Sequence, residues 1–367
     1  MDIRDVRVTP WILPLRAPFA IAQRTAYEAQ NVLIIVETDQ KEMRGLGASA
    51  PVAYVTGETI PTVIETLTRF VPTLIGRSIG DFEAILALVG EALSENPSAR
   101  AGLEMALYDL WAKSRNLSLW AHFGGARAEL ISDMTVPIVS ASEAAALSVQ
   151  AAKDGFHSLK IKVGDPQGHD ADRARIIDIA AAAPGMRLRI DANQAFTPED
   201  AVAFTRSLEP IQSSIDLIEQ PVHKADFAGL KFVRENVSLP IYADESACTP
   251  DSVRQLIAMD AVDGVNVKLM KSGITGALEI IALCREAGKG LMLGCMLETS
   301  LGIAAAAHIA GGTGAFDFID LDSHHLLSPI PGLQGGFRNT GDKLTLDASE
   351  TPAAGWGVIY PDDDFSI

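Results

Sequence analysis

Cysteine is scarce in this chain: Cys248, Cys284 and Cys295 are the only three in 367 residues. They are odd in number and lack CxxC spacing, which excludes a disulfide framework or a zinc site as the organising element. Basic residues are also in deficit, 30 against 47 acidic ones, for a formal net charge of −17. Nucleic acids and anionic membrane surfaces recruit basic patches, so neither is an expected partner. No segment approaches the ~18 uninterrupted apolar residues of a membrane span. The opening residues, Met1-Asp2-Ile3-Arg4-Asp5, have neither the apolar stretch of a secretion signal nor the character of a transit peptide. The expected location is the cytoplasm. A Gly-rich dinucleotide fingerprint after the first strand is missing too, which argues against an open doubly wound sheet.

What the chain has is length and apolar content. It is too long for one ordinary domain and suits a barrel of roughly 250 residues with an added domain. Residues 3–16 and 31–38 read as strands, the second rich in β-branched residues. Between them, residues 18–29 read as a connection too long for a tight hairpin, and long loops tend to be functional. Helical periodicity runs from about 58 to 116, and Gly124-Gly125 ends it. Residues 1–125 are therefore expected to form an α+β capping domain.

From about 132 the pattern changes to short apolar strands alternating with helical segments, the signature of a parallel sheet. Strand ends fall near Pro137, Lys162, Asp191, Glu219, Asp244, Lys268, Cys295 and Asp320, and from Lys162 onward they recur every 24 to 29 residues. Eight such units predict a (β/α)8 TIM barrel over residues 126–322. The Gly- and Pro-rich residues 323–367, with Trp356, are expected to pack back on the capping domain.

The stretch Ser158–Gly164 stands out. As a strand it sends Leu159, Ile161 and Val163 one way and Lys160 and Lys162 the other. Two adjacent lysines repel, so the alternatives are a solvated face, a site where something anionic sits, or an amine kept neutral. The following strands end in Asp191, Glu219 and Asp244. One strand-end aspartate is as well explained as a helix N-cap. Three in succession, on the barrel face that carries active sites, cannot be crowded together without a cation. Hard oxygen ligands with room for water and substrate point to Mg²⁺.

Lys268 ends the sixth strand, four positions from the second in an eight-stranded ring, so it faces Lys160 and Lys162 across the barrel. An amine on each side of a substrate suits 1,1-proton transfer. A lysine is a base only when neutral, and the expectation is that the neighbouring ammonium and the metal lower its pKa. Lys160 then holds a carboxylate oxygen while Lys162 and Lys268 exchange protons with carbon. At the eighth strand, Asp320 and Asp322 are expected to face the mouth together and to ask for a cation, a substrate ammonium being simpler than a second metal.

Lys160-x-Lys162, Asp191-Ala192-Asn193, Glu219-Gln220-Pro221, Asp244-Glu245-Ser246 and the Lys268 strand, in this order, resemble the enolase superfamily, specifically its muconate-lactonizing-enzyme subgroup. In that superfamily a Lys or His base works beside Mg²⁺ that stabilises an ene-diolate, so the combination of lysines and carboxylates is an established pattern. The resemblance covers essentially the whole chain. It implies that Asp191, Glu219 and Asp244 hold one Mg²⁺. No histidine ends the seventh strand, unlike the mandelate-racemase arrangement.

The Asp320-x-Asp322 pair resembles the dipeptide epimerases, in which it grips the substrate's terminal amine. Gln23-Arg24-Thr25-Ala26-Tyr27 resembles the specificity loop of L-Ala-D/L-Glu epimerases, which implies that Arg24 pairs a side-chain carboxylate. Thr135, Cys295 and Leu297 match positions that line the dipeptide. Two departures, Ala195-Phe196 and Gly273-Ile274-Thr275, lie near the proton-transfer set. The expected activity is epimerisation of the C-terminal residue of a dipeptide, Ala-Glu first, in bacterial cell-wall peptide metabolism. The expected assembly is a homo-oligomer. The alternatives are an epimerase of hydrophobic or other dipeptides, an o-succinylbenzoate synthase- or muconate cycloisomerase-like lyase, and a non-catalytic binding protein.

Overall fold

The computed structural model describes residues 1–346 and 354–360; the other parts of the 323–367 segment lie outside the described residues. Strands β1 (Ile3–Ile21), β2 (Arg24–Thr38) and β3 (Arg44–Ser49) form an antiparallel sheet with β2 in the middle. Helices Ile60–Phe70, Phe82–Ala92 and Pro97–Lys113 follow. The strand β4 (Glu129–Ile131) leads into eight parallel strands: β5 (Met134–Val136), β6 (Ser158–Lys162), β7 (Arg187–Asp191), β8 (Ile215–Glu219), β9 (Ile241–Ala243), β10 (Gly264–Val267), β11 (Gly290–Gly294) and β12 (Phe318–Asp320). They neighbour one another in sequence order, and a helix follows each of β5 to β12.

The first connection differs from its sequence reading. Residues 18–29 do not form a long loop. β1 and β2 pair almost to their ends, with Ile21 opposite Arg24. The misleading signal is proline. Pro10, Pro14 and Pro18 cannot donate to a ladder, but β1 is an edge strand and tolerates them. The register shifts between Pro14 and Phe19. There the bulge turns to residues 327–328: Arg16 Nε donates to Leu327 O at 2.8 Å, and Ser328 N donates to Pro14 O at 3.1 Å.

Side chains make the join between the end strands β12 and β5. Leu321 N donates to Ser132 Oγ at 2.8 Å, and Thr135 N donates to Asp322 Oδ2 at 2.7 Å. Arg189 reaches across the barrel to Asp133 Oδ2 and Ile319 O, at 2.6 and 2.9 Å. Below the charged strand ends, Leu217, Tyr242 and Met292 form a separate apolar cluster inside the ring, with Phe318 against it. Main-core residues such as Leu159, Ile161, Ile190 and Ile218 are fully buried. The alternation along Ser158–Lys162 is thus real, but both faces are covered, as parallel sheets require.

The N-terminal sheet reaches the barrel mouth through its hairpin tip. Ile138 N donates to Ala20 O at 2.9 Å, and Gln23 Nε2 donates to Asn193 O. Gly164, at φ +98°, sits where a Cβ would lie 2.8 Å from Ala22 Cβ and 2.7 Å from Ala195 Cβ, so only glycine lets the tip approach. Trp356 is buried; its backbone N–H donates to Asp109 Oδ1 and its ring N–H to Met105 O, at 3.0 and 2.9 Å.

The helix Pro97–Lys113 lies on β3 through glycine contacts. A Cβ on Gly102 would come within 2.4 Å of Ser49 Oγ and 2.5 Å of Ile34 Cδ1. Gly102→Ala should therefore destabilise the protein by about 1–3 kcal/mol, as overpacking does, lowering the denaturant midpoint at unchanged slope. An unchanged midpoint would show that this interface yields freely.

Candidate active site

The charged residues that end the barrel strands converge at one mouth. β6 ends at Lys162, β7 at Asp191 and β8 at Glu219; Asp244 and Lys268 stand one residue past β9 and β10. Lysines 160, 162 and 268 are 1%, 7% and 6% exposed, which rules out the solvated-face reading of the lysine strand. β6 and β10 stand four apart in the strand order, so the two lysine sets approach from opposite walls.

Each lysine rests on a carboxylate. Lys162 Nζ is 2.6 Å from Asp191 Oδ2, and Lys268 Nζ is 2.7 Å from Asp244 Oδ2. Lys160 Nζ touches three: Asp191 Oδ2 at 3.1 Å, Glu219 Oε2 at 2.9 Å and Asp320 Oδ2 at 2.8 Å. Lys271 bonds Asp244 Oδ1 at 2.6 Å and Asn266 O at 2.8 Å, tying β9 to β10. Gly294 makes room for this wall, because a Cβ there would lie 2.9 Å from Lys268 Cε.

The surrounding carboxylates hold Lys160 and Lys268 as ammonium ions, the state expected of Lys160. Burial opposes the charge of Lys160, but Asp320, Glu219 and Asp191 outweigh it and hold the ammonium well above its ordinary pKa. Burial likewise opposes charge on Lys268, and Asp244 outweighs it, so this pKa is raised as well. At Lys160 and Lys268, then, nearby carboxylates count for more than like-charge repulsion. Burial also disfavours an ionised Asp191, yet Lys162 and Lys160 bring its pKa down to about 2. Asp244 is lowered in the same way, burial being overcome by Lys268 and Lys271. Glu219 goes the other way: burial and the charge of Asp191 push it up to about 7.

Carboxylate oxygens of Asp191, Glu219 and Asp244 lie within 4.8 Å of one another. Asn193 Oδ1 and Glu245 Oε2 are buried and accept no hydrogen bond, which leaves them free to face a cation. This donor set is entirely hard oxygen, without thiolate or imidazole, and it fits Mg²⁺. Gln220, at φ +38°, organises it: its Oε1 accepts from Asp244 N at 2.9 Å and from Ser246 N at 3.1 Å.

A second acidic group, Asp133, Asp320 and Asp322, has oxygens within 4.8 Å of one another. Asp322 is not the second outward position of a strand, since β12 ends at Asp320 and Asp322 immediately precedes the short helix Ser323–Leu326. The chain turns there, yet both carboxylates still line the cleft. Burial and the charge of Asp320 push Asp322 up to about 6.

The cleft is narrow and opens to solvent, which suits a small ligand rather than a folded chain. Arg24, Thr135, Cys295 and Leu297 line it with the lysines, Asp244, Asp320 and Asp322. Asp191 and Glu219 lie fully buried beneath. Arg24 is exposed and lies over the Tyr54 ring, 5.7 Å from its centre. Asn31 Nδ2 donates to Leu297 O at 3.0 Å, so β2 fixes that wall. Burial, with Asp320 and Asp322, raises the Cys295 thiol well above its usual range and keeps it from acting as a thiolate.

Sequence reasoning gave no role to Glu245 or Tyr54. Strand alternation would send Glu245 away from the mouth, but β9 stops at Ala243 and the loop brings Glu245 in. Tyr54 comes from the short helix Ala53–Thr56, for which no residue pattern signals a site.

Two family models match consecutive parts of the chain: the mandelate racemase/muconate lactonizing enzyme N-terminal domain over residues 3–124, and the enolase C-terminal domain-like model over residues 143–352. The chain belongs to the mandelate racemase/muconate lactonizing enzyme family. It is similar to the L-Ala-D/L-Glu epimerase of Bacillus subtilis, 38% identical over 98% of this chain and 97% of that one. It is also similar to the hydrophobic dipeptide epimerase of Enterococcus faecalis, 37% identical over 98% of this chain and all of the other. Its structure superposes on that of the substrate-liganded B. subtilis epimerase with a TM-score of 0.92, at 37% identity, covering 98% of this chain and 99% of that one. With the E. faecalis dipeptide epimerase complexed with Mg and L-Leu-L-Tyr the TM-score is 0.91, at 36% identity, again over 98% and 99% of the two chains.

A ligand that binds only the folded state stabilises it, by about 2.7 kcal/mol at 100 times its Kd. Mg²⁺ should therefore raise the melting temperature, and chelation should reverse the rise. In Asp244→Asn the shift should vanish. A full shift in that variant would remove Asp244 from the cation site.

Proposed function

We propose that this protein is a Mg²⁺-dependent dipeptide epimerase. It inverts the α-carbon of the C-terminal residue, with Ala-Glu as the first candidate substrate and cell-wall peptides as the source. The observation that carries this reading is the pair of amines, Lys162 and Lys268, on opposite walls above three buried carboxylates. Both epimerase relatives named above support it.

In this reading Asp191, Glu219 and Asp244 hold the ion. Mg²⁺ supplies positive charge for the substrate carboxylate, which gains negative charge as the α-proton leaves. Lys160 Nζ, fixed by Asp320 and Glu219, holds a carboxylate oxygen. Lys162 takes the proton from one face of the α-carbon and Lys268 returns one to the other; the reverse reaction exchanges their roles. Closeness to Asp244 outweighs burial and raises the pKa of Lys268, so its neutral form would be favoured once a cation competes for that carboxylate.

Asp320 and Asp322 meet the substrate's terminal ammonium in the cleft, and Arg24 meets an acidic side chain. A lyase of the same family has no ammonium to bind, so this acidic pair favours the epimerase. The deciding experiment is ¹H NMR of a dipeptide panel in D₂O with Mg²⁺. L-Ala-L-Glu should lose its Glu α-proton signal and show the second diastereomer. Faster turnover of hydrophobic dipeptides would remove the role given to Arg24, and no exchange on any dipeptide would sink the reading.

The acidic pair has its own test. A hydrogen bond to a charged group is worth about 1.5–3 kcal/mol, so Asp320→Asn or Asp322→Asn should lower kcat/KM for dipeptides by about 10- to 150-fold. Asp322, pushed up to about 6, is ionised above that pH. Amine binding should therefore weaken as pH falls through 6, and Asp322→Asn should remove that limb of the kcat/KM profile. Near-normal activity in both variants would favour the lyase.

A further inference from the structure

The carbonyl of Lys162 lies at the end of β6, where the chain leaves the sheet. Val163 N still donates to Asp191 O at 2.9 Å, but Gly164 then turns at φ +98°. Backbone groups released at such a turn and shut away from water need partners. They find them on the outer side of the barrel wall, in the helix His169–Ala182 that follows β6. Arg175 Nη2 donates to Lys162 O at 2.7 Å. Asp172 Oδ2 accepts from Gly164 N at 2.9 Å and from Asp165 N at 3.1 Å.

Arg175 and Asp172 are joined to each other, Nη2 to Oδ1, at 2.6 Å. Asp172 is fully buried and Arg175 is 1% exposed. Arg175 Nη1 also donates to Asp165 Oδ2 at 3.0 Å. An ion pair buried this deeply carries a desolvation cost that packing alone does not require. Neither residue lines the cleft. What both grip is the backbone on either side of Val163, immediately after the Lys162 side chain.

We propose that Asp172 and Arg175 are positioning residues for proton transfer at Lys162. They fix the backbone from which its amine reaches the α-carbon, and they leave Lys268 untouched. Lys268 is set from a different side: Lys271 bonds Asn266 O and the Asp244 side chain, and Gly294 leaves room for Lys268 Cε. The two bases therefore hang on separate supports. Loosening one should slow α-proton exchange from one epimer more than from the other, an effect that general loss of structure does not produce. The proposal rests on the epimerase reading, because it needs Lys162 and Lys268 to serve opposite faces.

The test is α-proton exchange in D₂O with Mg²⁺, measured separately from each epimer of the dipeptide that wild type turns over. Lys162→Ala identifies the epimer whose exchange depends on Lys162. Misplacing a reacting group by about 1 Å can cost ~100-fold, so Arg175→Met and Asp172→Asn should slow that epimer about 10- to 100-fold more than the other. Arg175→Lys, which keeps one donor, should recover part of the loss. Melting temperatures and the Mg²⁺-induced shift, read on the same samples, report folding and cation binding. Equal losses from both epimers, or a loss only in step with melting temperature, would overturn the positioning role. Absence of exchange in wild type would instead overturn the epimerase reading, and this inference with it.

Discussion

The structure depends on how acidic charge buried at one end of a barrel is compensated. Asp133, Asp191, Glu219, Asp244, Glu245, Asp320 and Asp322 are all buried there. An unpaired buried charge costs several kcal/mol, so this arrangement exists only with cations inside it. Lys160 bridges the two acidic groups, touching Asp191 and Glu219 on one side and Asp320 on the other. Lys162, Lys268 and Lys271 each take one carboxylate. Two of the amines that neutralise the floor, Lys162 and Lys268, are the ones proposed to move protons. A divalent cation entering between the carboxylates would free these amines, which links metal binding to the basicity of the site.

The rest of the fold presents this charge to a small volume. Parallel strands supply the convergence, because every carboxyl end points to one mouth. The N-terminal hairpin covers that mouth through Ala20, Ala22 and Gln23, and Asn31 holds the Leu297 wall. Glu104, fully buried in the helix Pro97–Lys113, accepts from Ile274 N at 2.6 Å and Thr275 N at 3.0 Å, where the helix Leu269–Ala287 breaks at Gly273, φ +69°. The Gly273-Ile274-Thr275 departure thus lies at this joint, one turn beyond Lys268. Ala195 and Phe196 pack beside Gly164 and against His169 and Phe204.

The barrel and its charged strand ends were legible in the sequence because they are local properties. A short apolar run closing in Asp, Glu or Lys, repeated at the length of one strand–helix unit, needs no tertiary information. The hairpin was not legible, because proline marks a loop unless the strand is known to lie at a sheet edge. Nor was the contact between the two acidic groups, because only the fold places Asp320 and Glu219 against the Lys160 amine. Glu245 and Tyr54 were hidden because strand length and helix placement brought them in. The Asp172–Arg175 pair looked like ordinary helix charge until the turn at Gly164 gave it a backbone to hold.

The central claim is that two amines act on opposite faces of one carbon. Single-epimer exchange in D₂O with Lys162→Ala and Lys268→Ala tests it most directly. The account predicts complementary losses: each variant keeps α-proton exchange from the epimer that the other loses, and the double variant exchanges neither. If one variant silenced both epimers while the other left both intact, a single base would be doing the chemistry, and the two-face account would be wrong.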